Sequence, residues 1–295
     1  MKNTMRNKLR RAALLVLALL MATSTLSACS QTPDQPTAPS AKNENYTVKL
    51  TASSGRPLSR VDVLVYADAT LADLVAVAKT DAKGIATFDI PAAKGYAAVL
   101  KGVPAGYPLE ESYALTKKTT EIVLTAELIQ NPDLSKNKFR RDSVMFDFTV
   151  TDTQGNTYTL SELLQNKKAV VLNFWFAKCN PCKAEFPFMQ RAFEKYSDDI
   201  ALLALNPVDD AQTVAQYRAA EGFEIPMASV DAVWMQAFEL MSYPTTMVID
   251  RFGNINLVHV GSVPNALLFE NLFAYYAADD YVQQSGLSMG SIPEK

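Results

Sequence analysis

The most informative stretch of the chain is residues 173–187, Asn173-Phe174-Trp175-Phe176-Ala177-Lys178-Cys179-Asn180-Pro181-Cys182-Lys183-Ala184-Glu185-Phe186-Pro187. It follows the apolar run Ala169-Val170-Val171-Leu172, whose branched residues predict a strand buried on both faces. After the second cysteine, apolar residues recur at near-helical spacing among charged residues, which predicts a helix. The Cys-Asn-Pro-Cys segment therefore lies between a buried strand and the start of a helix.

This position favours redox chemistry at the two cysteines. Unpaired backbone N–H groups and aligned peptide dipoles at a helix start favour a thiolate at Cys179. In C-x-x-C motifs the pKa of the first cysteine falls from about 8.5 to roughly 3.5–7.5, and the cations Lys178 and Lys183 act in the same direction. Pro181 has a fixed φ that suits a first helical turn. Since two residues separate the sulfurs, Cys182 can attack a mixed disulfide at Cys179, so the pair can pass two electrons.

The segment resembles the active-site segment of thioredoxin-fold proteins, in particular the extracytoplasmic thiol-disulfide oxidoreductases of the TlpA/ResA type in the AhpC/TSA-redoxin superfamily. Two further motifs carry the resemblance, an opening hairpin from Phe146 to Ser161 and the stretch from Ser242 to Ile255. Together they cover roughly residues 143–280. The resemblance implies an α/β thioredoxin-like domain, with a central mixed sheet flanked by helices.

The resemblance also implies roles for individual residues. Cys179, Cys182, Glu185 and Pro244 would be catalytic, with Pro244 in a cis peptide beside the two sulfurs. The backbone of Tyr243 would offer hydrogen bonds to a bound partner chain. Glu185 would move a proton for Cys182, and the alternative is a solvated carboxylate stabilised by the helix dipole. The implied partner-contacting residues are Trp175, Asn180, Pro181, Tyr243 and Thr245.

Three positions refine this resemblance. Asn173 stands where thioredoxin itself carries a buried aspartate, and TlpA/ResA-like proteins commonly have asparagine there. Lys178 replaces the tryptophan that usually precedes the first cysteine, which removes a flat aromatic rim from the partner-facing surface. We expect Trp175 to lie in the core, with flanking of the sulfurs as the alternative.

The N-terminal residues predict secretion and lipid anchoring. Basic residues precede an apolar core, Ala12–Met21, which is too short to span a bilayer but is typical of a secretory signal. The signal ends in Leu26-Ser27-Ala28-Cys29, which resembles the lipobox of bacterial lipoproteins. We therefore expect Cys29 to be lipidated and the protein to be extracytoplasmic, anchored to the bacterial cell membrane. The alternative is an ordinary signal cleaved after Ala28, which leaves Cys29 as a free thiol.

The cysteine count excludes two other kinds of site. The chain has 3 Cys and 1 His, so a zinc site at Cys179 and Cys182 lacks two ligands once Cys29 carries lipid. A haem attachment site requires histidine after the second cysteine, where Lys183 stands. His259 lies in an alternating strand pattern and is expected to be structural. We expect no metal and no cofactor beyond a redox-active Cys179–Cys182 disulfide.

Residues 46–127 predict a small antiparallel β-sandwich. Segments of alternating apolar and polar residues are separated by turn residues such as Asp81-Ala82-Lys83-Gly84. The order of these motifs resembles the prealbumin-like or Cna-B-type modules of bacterial surface proteins. Since this region has no histidine and no charged cluster, we expect a spacer or docking role rather than catalysis.

Six segments are thus predicted: a signal peptide (1–28), a flexible tether (29–45), the sandwich (46–127), a polar linker (128–142), the thioredoxin-like domain (143–282) and a loose tail (283–295). In the second domain we expect strands at Leu202–Asn206, Thr245–Asp250 and Asn254–Val260 and helices at Asp210–Glu221 and Asn265–Ala277. A length of 295 residues, with 48% hydrophobic and 20% charged, fits two globular domains. The net charge of -3 and pI near 5.4 give no nucleic-acid footprint, so we expect protein partners.

The sequence therefore predicts a membrane-tethered thiol-disulfide oxidoreductase that reduces protein disulfides. The family implies a membrane thiol-disulfide electron transporter as its donor and protein thiols or disulfides as substrates. One alternative is a thiol peroxidase of the peroxiredoxin type, although Phe176 and Leu172 replace the Thr and Pro that such enzymes carry before the reactive cysteine. Another alternative is a surface binding or adhesion protein with a vestigial redox domain.

Overall fold

The structure is a computed structural model that describes residues 42–93 and 95–292 of the chain. The predicted signal peptide, Cys29 and the tether as far as residue 41 lie outside the described residues. In chain order the elements are β1 (Asn43–Ala52), β2 (Asp62–Tyr66), β3 (Leu74–Lys79), β4 (Ile85–Pro91), β5 (Tyr96–Lys101), β6 (Tyr113–Leu115), β7 (Thr119–Leu124), β8 (Thr149–Thr151), β9 (Thr157–Thr159), α1 (Leu160–Asn166), β10 (Ala169–Phe174), α2 (Asn180–Tyr196), β11 (Ile200–Asn206), α3 (Ala211–Glu221), β12 (Met227–Ser229), α4 (Val233–Ala237), β13 (Thr245–Asp250), β14 (Ile255–Val260), α5 (Ala266–Ala277) and a 3-10 turn (Met289–Ser291).

The N-terminal strands form two facing sheets. One sheet has the order β4-β1-β7 and the other the order β3-β2-β5-β6. Alternate residues of β1 point into a shared apolar core, as the period of two in its sequence requires: Tyr46, Val48, Leu50 and Ala52. The sandwich prediction is confirmed with one correction. The pair β1 and β7 is parallel, so the sandwich is not wholly antiparallel.

A mixed five-stranded sheet, ordered β12-β11-β10-β13-β14, forms the centre of the second region. Strands β10, β11 and β12 are parallel, whereas β13 and β14 run antiparallel to their neighbours. Every residue of β10, β11 and β13 is buried, because apolar layers cover both faces of the sheet. Helices α2, α3 and α5 supply one layer, and α1 and α4 supply the other. This is the predicted thioredoxin-like architecture.

The sandwich and the second region are joined by buried contacts. Val144, which precedes the second region's hairpin, is fully buried in the core of the sandwich. Arg56 of the sandwich is 7% exposed, and its Nη2 donates to the hydroxyl of Tyr107 at 2.9 Å and to Asn254 Oδ1 at 3.3 Å. The Tyr107 hydroxyl also donates to Asn254 Oδ1, at 2.9 Å. Asp142 lies 3.6 Å from the guanidinium and contributes charge at that distance. A buried cation is thus neutralised and hydrogen bonded across the junction.

Two segments predicted to be loosely structured are packed instead. In the predicted polar linker, Phe139 is 3% exposed and its ring lies 4.7 Å from that of Phe146, so this residue is packed in the core rather than solvated. In the predicted tail, Leu287, Met289 and Ile292 are buried in the core of the second region. The prediction of a loose tail is therefore wrong for residues 283–292, because their few apolar side chains cover the face that α5 leaves open.

Replacing Arg56 by alanine should test the junction. The variant loses hydrogen bonds from a charged group and leaves Asn254 and the Asp142 carbonyl with fewer partners, so we expect a loss of about 3 kcal/mol in the free energy of unfolding. Lys49→Ala is the matched control, since it removes an exposed cation paired with Glu121 and should change that free energy by less than about 1 kcal/mol. Urea unfolding measures both, and equal effects would contradict the structure.

Candidate active site

The two cysteines lie at the start of α2, as predicted. Cys179 is the N-cap residue of the helix, and its sulfur accepts a hydrogen bond from the backbone N–H of Cys182 at 3.2 Å. Pro181 lies in the first turn, where its missing N–H has no helical partner to lose. The two sulfurs form a disulfide. Cys179 is 3% exposed and Cys182 is fully buried, so an attacking group reaches the pair through Cys179.

Little of the Cys179 side chain is accessible to solvent. The residue is nearly buried, because it also belongs to the apolar layer formed with α2 and α5. A partner must therefore approach closely and lose the water between the surfaces before sulfur meets sulfur.

The peptide bond between Tyr243 and Pro244 is cis, as the resemblance implies. Pro244 directly precedes β13, and the register of the sheet pairs Thr245 with Phe174 at the end of β10. This pairing brings the cis peptide to the same end of the sheet as Cys179. No backbone hydrogen bond joins Tyr243 to another described residue, whereas the carbonyl of Pro244 accepts from the N–H of Gly261 at 2.9 Å.

Glu185 is fully buried one turn after Cys182. Its Oε1 accepts from Asn173 Nδ2 at 2.9 Å, and its Oε2 accepts from the backbone N–H of Val263 at 2.9 Å. Burial raises the pKa of Glu185 to about 7, and the two donors oppose that rise because they favour the carboxylate. The alternative of a solvated carboxylate is therefore wrong. A pKa of about 7 places both protonation states of Glu185 within reach at neutral pH.

The residues expected to contact a partner differ in their exposure. Asn180 and Pro181, which lie between the two cysteines, are exposed, and Tyr243 is half-buried with its ring 5.4 Å from that of Phe176. Trp175 is fully buried, with its ring 5.3 Å from Phe186, so its side chain offers no contact surface. Thr245 is 2% exposed, and its hydroxyl donates to the carbonyl of Ser242. The prediction that Trp175 and Thr245 contact a partner through their side chains is therefore wrong. Both residues lie at strand ends that are buried in the core.

Within residues 42–93 and 95–292, no group of three or more His, Cys, Asp or Glu side chains could hold a metal ion. His259 lies in β14 opposite Thr246, and burial lowers its pKa. In the same part of the chain, none of the helices combines the length and apolar character needed to cross a bilayer.

Sequence reasoning missed two supports of the site. Asp209 follows β11, and its Oδ2 accepts from the backbone N–H of Ala177 at 2.6 Å, two residues before Cys179. Ser262 follows β14, and its hydroxyl donates to the carbonyl of Pro181 at 2.9 Å. The available signal for both was a polar residue within three positions of the end of a predicted strand, since the carboxyl ends of β11 and β14 lie at one edge of the sheet.

Comparisons with known proteins agree with this geometry. The model of the AhpC/TSA family matches residues 142–258. Thioredoxin-like protein YneN of Bacillus subtilis is 32% identical over 120 residues, which are 40% of this chain and 69% of the relative. The chain belongs to the TlpA/ResA-like thiol-disulfide oxidoreductases. Thiol-disulfide oxidoreductase ResA of the same organism is 29% identical over 126 residues, which are 42% of this chain and 69% of that protein.

A solved structure can be set beside this TlpA/ResA-like protein. The thiol:disulfide interchange protein of the thioredoxin family from Chlorobium tepidum is 23% identical, covers 45% of this chain and 94% of its own, and has a TM-score of 0.39. In this chain, Cys179, Cys182, Glu185 and Pro244 all lie within the residues that match the family model. The sandwich strands precede the matched residues, so they are an addition to the family domain.

Glu185→Gln should change how stability depends on pH. The folded-state pKa of Glu185 lies above its ordinary 4.5, so the folded protein binds more protons than the unfolded chain between these values. The contribution of Glu185 to the free energy of unfolding is therefore fully present below pH 4.5 and decreases as the pH rises through about 7, by about 3 kcal/mol in total. Urea unfolding of the disulfide form at several pH values should show that Glu185→Gln removes this contribution. The decrease caused by Asp250, whose pKa burial raises to about 6, should remain. Glu194→Gln, at an exposed position on the same helix, is the control and should keep the full pH-dependent decrease in stability.

Proposed function

We propose that the protein reduces disulfides of partner proteins outside the cytoplasm through Cys179 and Cys182. The observation that carries this proposal is the pair of cysteines at the helix start with Glu185 buried one turn behind them and a cis peptide at the same end of the sheet. The thiol-disulfide oxidoreductase activity of the family agrees with it.

The reaction starts from the dithiol form. The thiolate of Cys179 attacks one sulfur of the partner's disulfide, a new bond forms between the proteins, and the partner's other sulfur leaves as a thiolate. Cys182 then gives its proton to the carboxylate of Glu185 and attacks the sulfur of Cys179. The bond between the proteins breaks, and the second partner sulfur leaves and takes up a proton. Two electrons pass to the partner, and the protein ends with the disulfide seen in the structure.

Glu185 is suited to the proton step. A group exchanges protons most effectively when its pKa is close to the working pH, and burial raises the pKa of Glu185 to about 7. Its position on α2 three residues after Cys182 places it on the same side of the helix. Asn173 holds one carboxylate oxygen and Val263 the other, so the group keeps one orientation.

The partner chain would bind along the cis-proline loop. The backbone N–H and carbonyl of Tyr243 have no partner among the described residues, so they are free to pair with an extended segment. Apolar side chains near this edge, Met241 at 91% exposed and Val260 at 57% exposed, would lose water on binding.

Cys182→Ser should trap the mixed disulfide. In this variant Cys179 still attacks, but the second step has no thiol, so a covalent adduct with insulin should accumulate on non-reducing gels. Cys179→Ser is the matched control and should trap nothing. Failure of the Cys182→Ser variant to form an adduct, with Cys179 reactive towards an alkylating reagent, would argue against the mechanism. Rapid consumption of hydrogen peroxide without insulin reduction would favour the thiol peroxidase alternative.

We further propose that Cys29 carries lipid and that a membrane thiol-disulfide transporter returns the protein to its dithiol form. The lipobox-like sequence before Cys29 supports the first part. The sandwich then acts as a rigid spacer. Strand β1 has 10 residues and so spans about 30 Å, and the chain after its last residue contacts the second region through Ser54 and Gln283.

Cys29→Ser should release the protein from the membrane. In a bacterial host the unmodified chain should sediment with membranes after a high-salt wash and incorporate labelled palmitate. The variant should appear in the soluble extracytoplasmic fraction without label, while its insulin reductase activity stays unchanged because the disulfide is untouched. Identical fractionation of the two proteins would contradict lipid anchoring.

A further inference from the structure

Three successive residues after β14 each bind a different part of the candidate active site. The N–H of Gly261 donates to the carbonyl of Pro244 at 2.9 Å. The hydroxyl of Ser262 donates to the carbonyl of Pro181 at 2.9 Å, and the N–H of Val263 donates to Glu185 Oε2 at 2.9 Å. This segment, which we name the 261–263 loop, therefore contacts the cis-proline, the turn between the cysteines and the buried carboxylate.

The sequence fixes the shape of the 261–263 loop at both ends. Gly261 has φ of 111°, a conformation that side-chain-bearing residues rarely adopt. Pro264 restricts Val263 to an extended backbone. The side chain of Val263 is 7% exposed and packs into the core beside α5, which holds its N–H in place.

We propose that Ser262 is a positioning residue that fixes the turn between Cys179 and Cys182 relative to Glu185, and thereby sets the pH dependence of the second thiol-exchange step. This inference rests on the function proposed above. The hydroxyl of Ser262 makes the only side-chain hydrogen bond to the Asn180-Pro181 dipeptide among the described residues. Ser262, which binds the Pro181 carbonyl, and Val263, whose N–H binds Glu185, are adjacent in the chain. A single peptide bond therefore links the two hydrogen-bonded residues.

The protonation of Glu185 depends on the hydrogen bond that it accepts from Val263. Helix α2 carries Cys182 and Lys183 near Glu185, and α5, which packs against α2, carries Glu270, Tyr275 and Tyr276. None of these titratable groups is hydrogen bonded to the Glu185 carboxylate. The two donors are Asn173 and Val263. A hydrogen bond to a carboxylate favours the charged form, so displacement of the Val263 N–H raises the pKa of Glu185.

The test compares Ser262→Ala, which removes the hydroxyl, with Ser262→Thr, which keeps it. Each reduced full-length protein is mixed with excess oxidised glutathione, and the release of the second glutathione thiol is followed between pH 5 and pH 9. In Ser262→Ala we expect the midpoint of the pH profile to rise by about half a unit, equivalent to about threefold in the proton equilibrium. Ser262→Thr should restore the midpoint. Ser135→Ala, an exposed serine hydrogen bonded to Asp133, is the control and should leave the midpoint unchanged.

A second comparison isolates Glu185. Adding Ser262→Ala to Glu185→Gln should shift no midpoint, because the group that Ser262 acts through no longer titrates. Equal profiles for Ser262→Ala and unmodified protein would overturn the inference, as would a uniform loss of rate at all pH values. The mixed-disulfide adduct of Cys182→Ser distinguishes failure of this inference from failure of the proposed function. If the adduct forms but the pH profile of Ser262→Ala is unshifted, only the role of Ser262 is overturned. If no adduct forms, the proposed function itself is overturned.

Discussion

The antiparallel pairing of β10 with β13 is the constraint on which the site depends. The register joins Phe174 to Thr245, residues that are far apart in the sequence, and so brings the chain before Cys179 beside the chain after Pro244. Asn173 and Thr246 form the next pair of this register, and the Asn173 amide donates to the Thr246 hydroxyl at 3.1 Å as well as to Glu185. A shift of one residue would turn Asn173 to the other face of the sheet, and Glu185 would lose a donor.

Local patterns predicted much of this architecture. Strand β13 has the bounds expected from its apolar run, and helices α3 and α5 begin after Asp210 and Asn265, whose side chains accept hydrogen bonds from the first-turn N–H groups. Capping and burial depend on residues close in sequence, so they can be inferred there. Strand β3 cannot be predicted from a period of two, because its residues Leu74 to Ala78 are all apolar and do not alternate with polar residues.

The remainder of the site depends on distant residues. The donor on Glu185 Oε2 comes from a residue 78 positions away, and the sequence near Glu185 gives no sign of it. Arg56 follows a glycine and precedes a proline, a context that gives no sign of its hydrogen-bond partner Asn254, which lies 198 positions away. The linker is predicted to be polar and the tail to be loose, because few apolar residues occur in them. Phe139, with the partly buried Leu128, Ile129 and Leu134, packs the linker, and Leu287, Met289 and Ile292 pack the tail, because complementary apolar faces are already formed.

The burial of Glu185 has an energetic consequence that explains why the loop after β14 is ordered around it. An ionised carboxylate in an apolar layer is costly unless donors compensate, and here Asn173 and Val263 compensate without supplying a positive charge. A cation at this position would hold the group ionised, and it could not take up a proton near pH 7. Neutral donors leave the two protonation states close in energy. Because the two states are close in energy, a small displacement of either donor changes the pKa of the carboxylate. The positions of Asn173 and Val263 therefore help to determine the pH at which Glu185 accepts a proton.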